Sequence, residues 1–504
     1  MKRQYIDISK VTPSRVTSRY EAAQHNTETA DLWRLVDSLS AAAANSPNVR
    51  LILRNRSRYE YDNSPDIQGI AGAYVADLIG DRIGIQVGDD DLSQIVELEF
   101  LTWMRKSKFM TKLRTLTLAC YKDGESFAQL ITNQHIDGKV QLDIIPMEAD
   151  QIEGYWTGAK AVENNEVDGI RFDKFQNPTE YRVLTQHPGD YRLTLSLRKT
   201  AGKWVKAEHI LHMLNWSKLR PGQKRGVPET TSIMSLPNLM RQYILATVTA
   251  AKTAAEMAGV METDLVPDTI DGGKCAAGMP PLVEIGIQRG SLISLPEGWK
   301  LAQMRAEHPT TNFKEFCDFL KSHLGRASNM PRNVAIGDSS GYNYASGRLD
   351  HQTWDSCLTI HRNDLIAYIL DRIYFAFINE LIPELKAAGT HFTEADQERL
   401  LSQPPQWMFR RRKHVDPSKE ANADSLKLRN AMMTREDYWA EQGEDGKQKT
   451  DQWLQEKINF EKSWNEKRQE QGLPPAPMPD FSPNPKQAPT ADAKNDKGSE
   501  DEED

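Results

Sequence analysis

The chain has 504 residues, of which 27% are charged and 39% hydrophobic, and its formal net charge is −8. This length predicts roughly two to four structural units rather than one core. No run of about 18 apolar residues is present, which excludes a membrane-spanning helix. The charged start lacks the apolar core of a secretory signal, so none is expected. The acidic balance argues against tight gripping of duplex DNA through its phosphates.

The four cysteines, Cys120, Cys275, Cys317 and Cys357, are far apart and form no CxxC pair. This spacing favours reduced thiols in a cytoplasmic assembly environment over disulfides or a structural zinc site. The sequence also lacks a phosphate-binding loop and a dinucleotide fingerprint, so it predicts no cofactor and no ATPase. The purified chain is therefore expected to hydrolyse no nucleotide.

The first part of the chain is polar and mixed, and it becomes locally basic at Arg50, Arg54, Arg56 and Arg58. Ser64 is then predicted to cap a helix that starts at Pro65. A possible strand at 83–87 and helices over about 92–106 and 109–121 follow. The carboxylates of Asp89, Asp90 and Asp91 are interpreted as a helix cap rather than a metal site.

Asp123-Gly124-Glu125 forms a turn that leads into segments of alternating apolar and polar residues. These predict an antiparallel β-rich unit with strands near 125–130, 140–145, 169–172, 180–183, 191–196 and 209–214. His209 and His212 are interpreted as strand-surface residues, because no further zinc ligands accompany them. Lys218, Arg220, Lys224 and Arg225 form a loose basic cluster, for which ion pairing and phosphate contact both remain open.

A helix rich in Ala and Thr is predicted over 231–261, with Pro237 near its start or at a kink. It is either a helix packed closely in a ring or a plain core helix. Residues 262–288 are rich in Gly, Pro and Asp, and short strands at 291–295 and 299–304 follow. A helix over 313–326 precedes a polar loop, and a long helix over 349–385 is expected to be broken only by Pro383.

The loop Gly337-Asp338-Ser339-Ser340-Gly341 superficially resembles the nucleophile motif of chymotrypsin-type proteases. That chemistry needs an oriented histidine base and a β-barrel, whereas helices are predicted on both sides of this motif. A flexible loop is the better interpretation. A C-terminal helix over 446–471 is followed by a Pro-rich, acidic tail that is predicted to be disordered. The tail is either a solvating appendage or a docking element for basic partners.

The stretch from Gln406 to Gly446 predicts a strand, a basic elbow and two capped helices. Asp416 is the predicted cap before Pro417, Thr434 and Asp437 form a capping box, and Gly443 offers a stop. In the order of the sequence, its motifs are Val415-Asp416-Pro417, Lys419-Glu420-Ala421, Met432-Met433-Thr434 and Gln442-Gly443-Glu444-Asp445. Together with Asp123–Phe127, Arg225–Pro228 and Tyr344–Asp350, this order resembles the lambda-type portal proteins of tailed bacteriophages over roughly residues 65 to 446.

The resemblance implies an α+β portal fold that is mainly helical, with an antiparallel β-rich wing layer and a small clip. The implied divisions are an N-terminal arm (1–64), a wing with the β-rich layer (65–230), a first stem helix (231–261), the clip and return strands (262–310), a second stem helix region (311–334), a tunnel loop (335–347), a long kinked wing helix (348–386), C-terminal wing and crown helices (387–471) and a disordered acidic tail (472–504).

In function, the resemblance implies a homo-oligomeric ring, usually of twelve subunits, at the capsid vertex of the virion, assembled in the host cytoplasm. Double-stranded DNA would pass through its channel during packaging and ejection, and the chain would catalyse no reaction. The implied partners are the large terminase subunit, a head-completion or adaptor protein, the scaffold protein and the major capsid protein. The alternatives are a monomeric structural adaptor, or a metal-dependent hydrolase or nuclease that uses the Asp89 cluster or the Ser339 loop.

The resemblance also assigns candidate residues to three sites. The expected tunnel-loop residues that face DNA are Asp338, Ser339, Ser340, Tyr342, Asn343 and Tyr344. The residues expected at the clip, where terminase would dock, are Asp264, Asp268, Asp271 and Lys274. The basic run Arg410, Arg411, Arg412, Lys413 and His414 either pairs with a neighbour's acidic surface or, through Arg410 to Lys413, contacts phosphates where DNA enters the shell.

Overall fold

A computed structural model describes residues 37–88, 90–152, 165–190, 202–256, 260–263, 299–302, 313–341, 343–410 and 417–477. The chain divides into two units, one made of Met1–Leu78 and Lys106–Glu384 and the other of Ile79–Arg105 and Leu385–Asp504. Helices and antiparallel strands make up the described residues, so the predicted mixture of helix and sheet is confirmed. The division into wing, stem, clip and crown stays a prediction.

The helices follow the sequence-based boundaries closely where a capping residue is present. They are α1 (Ala41–Ala44), α2 (Pro47–Asn63), α3 (Pro65–Ile79), α4 (Asp91–Lys106), α5 (Phe109–Asp123), α6 (Ser235–Glu256), α7 (Phe313–Ala327), α8 (Arg332–Ile336), α9 (Tyr344–Leu365), a π turn (Ile366–Leu370), α10 (Asp371–Ala387), α11 (Glu394–Ser402), α12 (Pro417–Arg429), α13 (Arg435–Glu441) and α14 (Gly446–Glu470). None of the described helices is long and apolar enough to cross a membrane.

The described strands pair in antiparallel fashion, as the alternating patterns predicted. They are β1 (Ile83–Gln86), β2 (Glu125–Thr132), β3 (Leu142–Met147), β4 (Glu166–Val167), β5 (Ile170–Phe172), β6 (Pro178–Leu184), β7 (Gly202–Lys206), β8 (Ile210–Leu214), β9 (Val260–Thr263), β10 (Trp299–Ala302) and β11 (Gln406–Phe409). The orders are β3-β2-β8, β4-β5-β6-β7, β10-β9 and β1-β11. The strands predicted at 191–196 and 291–295 lie outside the described residues.

The core of the first unit includes the inner faces of its two larger sheets. Phe127 of β2 and Ile210 of β8 are fully buried there, together with Ile170 and Tyr181 from the four-stranded sheet. In β2, Phe127 lies opposite Met147 of β3 and His212 of β8. The pairing of β2 with both β3 and β8 therefore places these strands in the core, where β8 is buried along its whole length.

The long helical stretch from Tyr344 to Ala387 differs from its prediction in its first residue and in the position of its irregularity. It starts earlier, because the Asn343 side chain accepts a 2.8 Å hydrogen bond from the Ser346 N–H and caps the first turn. The helix continues through Pro383, so the predicted break there is wrong. The irregularity is instead the π turn, which adds a residue to one turn of the helix.

In the second unit, β1 pairs with β11 and the aromatic rings of α4 pack beside them. Phe100 lies 5.2 Å from Trp103 and 5.8 Å from Trp407, measured between ring centroids. Asp90 caps α4 by accepting a 2.8 Å hydrogen bond from the Ser93 N–H. The capping interpretation is therefore confirmed for Asp90, whereas Asp89 lies outside the described residues.

The C-terminal helices begin and end where their capping residues predict. Thr434 and Asp437 form a reciprocal capping box at the start of α13. Gly443 adopts a φ of 74°, and its N–H donates to the Ala440 carbonyl, as the predicted stop requires. The predicted cap Asp416 and residues 478–504 of the predicted tail are outside the described part of the chain.

A pair of substitutions on α9 tests the core of the first unit. Leu358 is 2% exposed and Ile360 is 54% exposed. Leu358→Ala should lower the free energy of unfolding by about 2–5 kcal/mol, since it leaves a cavity. Ile360→Ala should change it by less than about 0.5 kcal/mol. Chemical unfolding followed by tryptophan fluorescence measures both, and equal losses would contradict this placement of α9.

Candidate functional site

Two glycine-containing turns, far apart in sequence, meet in the first unit. They are the turn at Asp123-Gly124-Glu125 and the turn at Arg225-Gly226-Val227-Pro228. A Cβ atom on Gly124 would lie 2.2 Å from the Val227 carbonyl carbon, and one on Gly226 would lie 2.0 Å from the Gly124 oxygen. Gly124 also has a φ of 87°, which disfavours any side chain. The contact therefore requires glycine at both positions.

The Glu125 carboxylate is the polar centre of this contact, and its side chain is fully buried. Arg225 donates from Nε to both carboxylate oxygens at 2.9 Å, and the Gly226 N–H donates to Oε2 at 3.0 Å. Arg54 donates from Nη2 at 3.3 Å, and His212 Nε2 lies 3.2 Å from Oε2. Glu125 thus joins α2, β2, β8 and the second glycine turn through one charged group.

Burial alone would raise the pKa of Glu125, but the charge of Arg225 and the hydrogen bonds from His212 and Arg225 hold that pKa well below its usual range. Burial lowers the pKa of His212, and the Glu125 carboxylate only partly opposes this. The neutral imidazole is consistent with its contacts, because Nε2–H can donate to Glu125 while Nδ1 accepts from the Tyr181 hydroxyl at 3.4 Å. The site therefore holds an ionised carboxylate beside a neutral histidine.

A second set of ion pairs surrounds the Glu125 contact. Arg50 lies 3.0 Å from Asp168, and Arg54 donates to Asp150 at 2.7 Å. The arginine of the next turn of α2 reaches the remaining carboxylates: Arg58 binds Asp123 through two hydrogen bonds and lies 2.8 Å from Asp150 and 3.1 Å from Glu148. These residues and the Glu125 contact are called the buried ion network below. Arg50, Arg54 and Arg58 are therefore paired within the chain.

The expectation for His212 is wrong, because this histidine is buried rather than on a strand surface. It is 8% exposed, and its ring stacks on Phe127 at 4.2 Å between centroids. All five residues of β8 are buried, so a polar residue inside the continuous apolar run ILHML was the available signal. His209 is exposed, as expected, and lies 3.4 Å from Glu208.

The loose basic cluster resolves largely into contacts within the chain. Lys218 pairs with Glu229 and donates to the Ala327 carbonyl at 2.7 Å, while Arg225 is buried against Glu125. Arg220 donates to the Leu39 carbonyl at 3.3 Å. Lys224 lies over the Phe172 ring at 4.5 Å from its centroid. Lys218 and Arg225 therefore form ion pairs, and their acidic partners belong to the same chain.

Four of the predicted tunnel-loop residues, Asp338, Ser339, Ser340 and Asn343, lie in the connection between α8 and α9. Asp338 accepts a 2.8 Å hydrogen bond from the Ser340 N–H and lies 3.5 Å from Lys314. Ser339 and Ser340 are exposed, and Asn343 caps α9. Tyr344 is the first residue of α9, and Tyr342 lies outside the described residues. The roles of these residues at DNA stay predictions.

The other predicted sites fall mainly outside the described residues. Arg410 donates a 2.8 Å hydrogen bond to Asp81, so its acidic partner belongs to the same chain and not to a neighbouring subunit. Outside the described ranges are Arg411, Arg412, Lys413, His414, Asp264, Asp268, Asp271 and Lys274. The thiols of Cys120, Cys317 and Cys357 are free, and Cys275 lies outside the described part.

One group in the described part of the chain has the composition and spacing of metal ligands. Glu148, Asp150 and His187 each offer one ligand atom, and these atoms lie within 4.8 Å of one another. Glu148 caps the 3₁₀ turn Ala149–Gln151 that follows β3, Asp150 lies within that turn, and His187 follows β6. Both carboxylates belong to the buried ion network, where Arg58 contacts them. Sequence reasoning missed it, because 36 positions or more separate the histidine from the carboxylates along the chain.

Removing the charge of Glu125 tests the buried ion network. Glu125→Gln leaves Arg225 and Arg54 facing a neutral amide, so we expect the free energy of unfolding to fall by about 3–5 kcal/mol. Glu180→Gln is the control, since this half-buried residue pairs with Arg171 at the surface and should lose less than about 1 kcal/mol. Denaturant unfolding measures both variants. Equal and small losses would show that the network contributes little.

The network also predicts how stability depends on pH. The lowered pKa of His212 means that the unfolded chain takes up a proton below about pH 6.5 while the folded chain does not, so stability falls as pH falls. The lowered pKa of Glu125 adds a further loss below about pH 4.3. Thermal unfolding from pH 8 to pH 4 measures this. His212→Gln should flatten the loss between about pH 6.5 and 5, and the exposed control His209→Gln should not.

Comparisons with known proteins agree with the resemblance. Residues 27–358 match the family model described as phage portal protein, lambda family. The probable portal protein of Halomonas phage phiHAP-1 is 24% identical over 286 residues, which cover 54% of this chain and 53% of that protein. The chain thus spans about half the length of the curated relative it matches.

Similar solved structures include chains of gene transfer agent (GTA) particles. The neck of the native GTA particle computed with C12 symmetry has a TM-score of 0.41 and 12% identity, covering 72% of this chain and 95% of that one. The virion of the native particle has a TM-score of 0.39 and 12% identity, covering 85% and 94%. The family match covers well over half of the residues, and this chain belongs to the lambda family of phage portal proteins.

Proposed function

We propose that this chain is the subunit of a ring-shaped channel at one capsid vertex, through which double-stranded DNA is packaged and later ejected. The family match over residues 27–358 carries this proposal. The contact between the turns at Gly124 and Gly226 supports it, because these are the two motifs that resemble landmarks of the portal wing. On this proposal the β-rich layer of the first unit belongs to the wing.

The helices α6 and α7 supply the face on which copies of the chain would pack. Tyr243 of α6 stacks on Phe313 of α7 at 5.7 Å between centroids, so the two helices contact each other. Leu245 and Val248 of α6 nevertheless remain 67% and 58% exposed, and Phe319 of α7 is 56% exposed. Apolar residues on a helix normally face a partner, and a second copy in the ring would cover them.

The channel would act passively, and the chain would make or break no bond. A net charge of −8 disfavours tight phosphate binding, which would brake a moving duplex. The exposed Ser339 and Ser340 offer hydroxyl groups without a fixed charge. We propose that the loop containing Asp338, Ser339, Ser340, Tyr342, Asn343 and Tyr344 lines the narrowest part of the channel. Weak polar contacts repeated around the ring would let DNA slide while a separate motor drives it.

The remaining family roles are proposals for segments beyond the described residues. The clip, with Asp264, Asp268, Asp271 and Lys274, would receive the large terminase subunit and later a head-completion protein. Arg411, Arg412 and Lys413 would contact phosphates where DNA enters, whereas Arg410 already pairs with Asp81. Scaffold and major capsid protein would meet the ring during assembly.

The mass of the purified particle in solution, followed by negative-stain imaging, tests the ring. We expect a species of many subunits with a central hole. Leu245→Asp should shift it toward monomers, because a carboxylate would be buried between copies. Leu473→Asp, a change at a 46% exposed leucine near the C-terminus, should leave the ring intact. A chain that stays monomeric even with its scaffold and capsid proteins would contradict the proposal.

A further inference from the structure

We propose that one face of helix α14 binds the proline-rich segment at residues 477–483 of the same chain. The helix runs from Gly446 to Glu470, and its residues 451–463 are exposed. Four large apolar side chains of this stretch are 44–63% exposed, namely Trp453, Leu454, Ile458 and Phe460. Apolar side chains clustered on an exposed surface mark an interaction site. The chain that follows α14 is directed along this site.

The apolar side chains of α14 form two adjoining rows. Successive residues of an α-helix are rotated by about 100°, so Leu454 and Ile458 lie about 40° apart around the helix axis. By the same rotation, Trp453, Phe460 and Trp464 lie within about 40° of one another and form the second row. The two rows together make one apolar face that extends along three turns of the helix.

The chain reverses its direction directly after α14. The Leu473 N–H donates to the Arg468 carbonyl at 2.8 Å, and Arg468 Nε donates to the Pro474 carbonyl at 2.9 Å. Further along, the Ala476 N–H donates to Asn465 Oδ1 at 3.1 Å. Residues 473–477 therefore run back along the helix toward its N-terminal end.

The returning segment lies on the apolar side of the helix. Asn465, which holds Ala476, lies within about 20° of both Leu454 and Ile458 around the helix axis. The segment is thus aligned with the first apolar row before residue 478. A straight continuation would cover that row.

The spacing of the next apolar residues matches this face. The prolines of the segment favour a polyproline II conformation, which rises about 3.1 Å per residue, whereas an α-helix rises about 1.5 Å. Each residue of the segment therefore passes about two residues of α14. Counted from Ala476, Met478 would lie level with about residue 461 and Phe481 with about residue 455. Because polyproline II has about three residues per turn, Met478 and Phe481 would face the same side.

The face also has the chemistry that recognises proline-rich segments. Such segments bind surfaces lined with aromatic side chains, and α14 supplies Trp453, Phe460 and Trp464. Trp464 Nε1 is buried and has no hydrogen-bond partner in the described part of the chain. The carbonyl groups of a polyproline II segment make no hydrogen bonds with one another, so one of them can accept from this N–H.

Two charged residues lie between the apolar rows, and the segment suits both. Lys457 Nζ lies over the Trp453 ring, 5.1 Å from its centroid. Asp480 would lie level with about residue 457, so its carboxylate would meet this ammonium group. Such an exposed pair adds little affinity but favours one register. Glu461 can extend its carboxylate into water while its stem lies along the apolar surface.

Docking would cover the apolar face of α14 within each chain. An uncovered face of this kind favours association with other copies or with unfolded chains. The helix and the segment both lie beyond residues 27–358, which carry the family match. The inference therefore goes beyond the proposed channel and does not depend on it.

Photo-crosslinking in the purified full-length protein tests the contact. Phe481→p-benzoylphenylalanine places the photoreactive group in the segment, and Ala491→p-benzoylphenylalanine is the control further along the tail. After irradiation, we expect the group at position 481 to react with residues 451–465, in a product with the mass of one chain. The control should not react there. A product with the mass of two chains, attachment elsewhere, or no cross-link at position 481 would overturn the proposal.

Hydrogen exchange of the α14 amides is the second measurement. Residues 451–465 of Phe481→Asp should exchange at least about fivefold faster than in the parent, because the segment no longer protects the helix. Phe481→Leu should retain the protection, and Ala491→Asp, which makes the same change in charge, should exchange as the parent does. Equal exchange in Phe481→Asp and the parent would contradict docking. Ring formation is measured separately, so the failure of this contact and the failure of the channel are distinguishable.

Discussion

The buried Glu125 carboxylate is the group on which the first unit depends. A carboxylate removed from water is unfavourable unless charged partners and hydrogen bonds replace the water. Here Arg225, Arg54, His212 and the Gly226 N–H supply them, and they come from three separate segments of the chain. Each partner can reach the carboxylate only if its own helix, strand or turn is correctly placed. The two glycines allow this placement, because any side chain would hold the turns apart.

An apolar core could stabilise the same segments as well as an ion network does, since desolvation offsets much of the attraction between buried charges. The network differs from an apolar core in how strictly it specifies the arrangement of these segments. A buried carboxylate is stable only when its hydrogen-bond donors are correctly placed, whereas apolar side chains can pack in many arrangements. We therefore infer that the network selects which turn meets which, and that the surrounding apolar cluster at Phe127 and Ile210 supplies most of the stability.

The sequence predicted those elements whose signals are local. Ser64 and Pro65 mark the start of α3, and Thr434 with Asp437 marks α13, because capping depends on residues a few positions apart. Helix α2 starts at a similar Ser-Pro pair, Ser46-Pro47, but its extent was hidden, because its buried face is Arg50, Arg54, Ser57 and Glu60 and an apolar pattern could not reveal a polar stripe. The partners of Arg54, Ser57 and Glu60 lie 71 or more positions away, so the burial of these side chains depends on the tertiary fold. The burial of His212 did have a local signal in the apolar residues around it, whereas no local pattern marks the π turn.

The internal use of arginine bears on the proposed channel. From the sequence, the basic cluster at 218–225 could have held phosphates, and residues 50–58 form a second locally basic segment. In the structure, Arg50, Arg54 and Arg225 are buried with carboxylates, and Lys218 pairs with Glu229. These cations are therefore neutralised within the chain and are unavailable to DNA. Together with the excess of acidic residues, the internal pairing of these cations weakens the attraction between this part of the chain and the phosphates of a duplex. Such weak attraction is what sliding through the proposed passive ring requires.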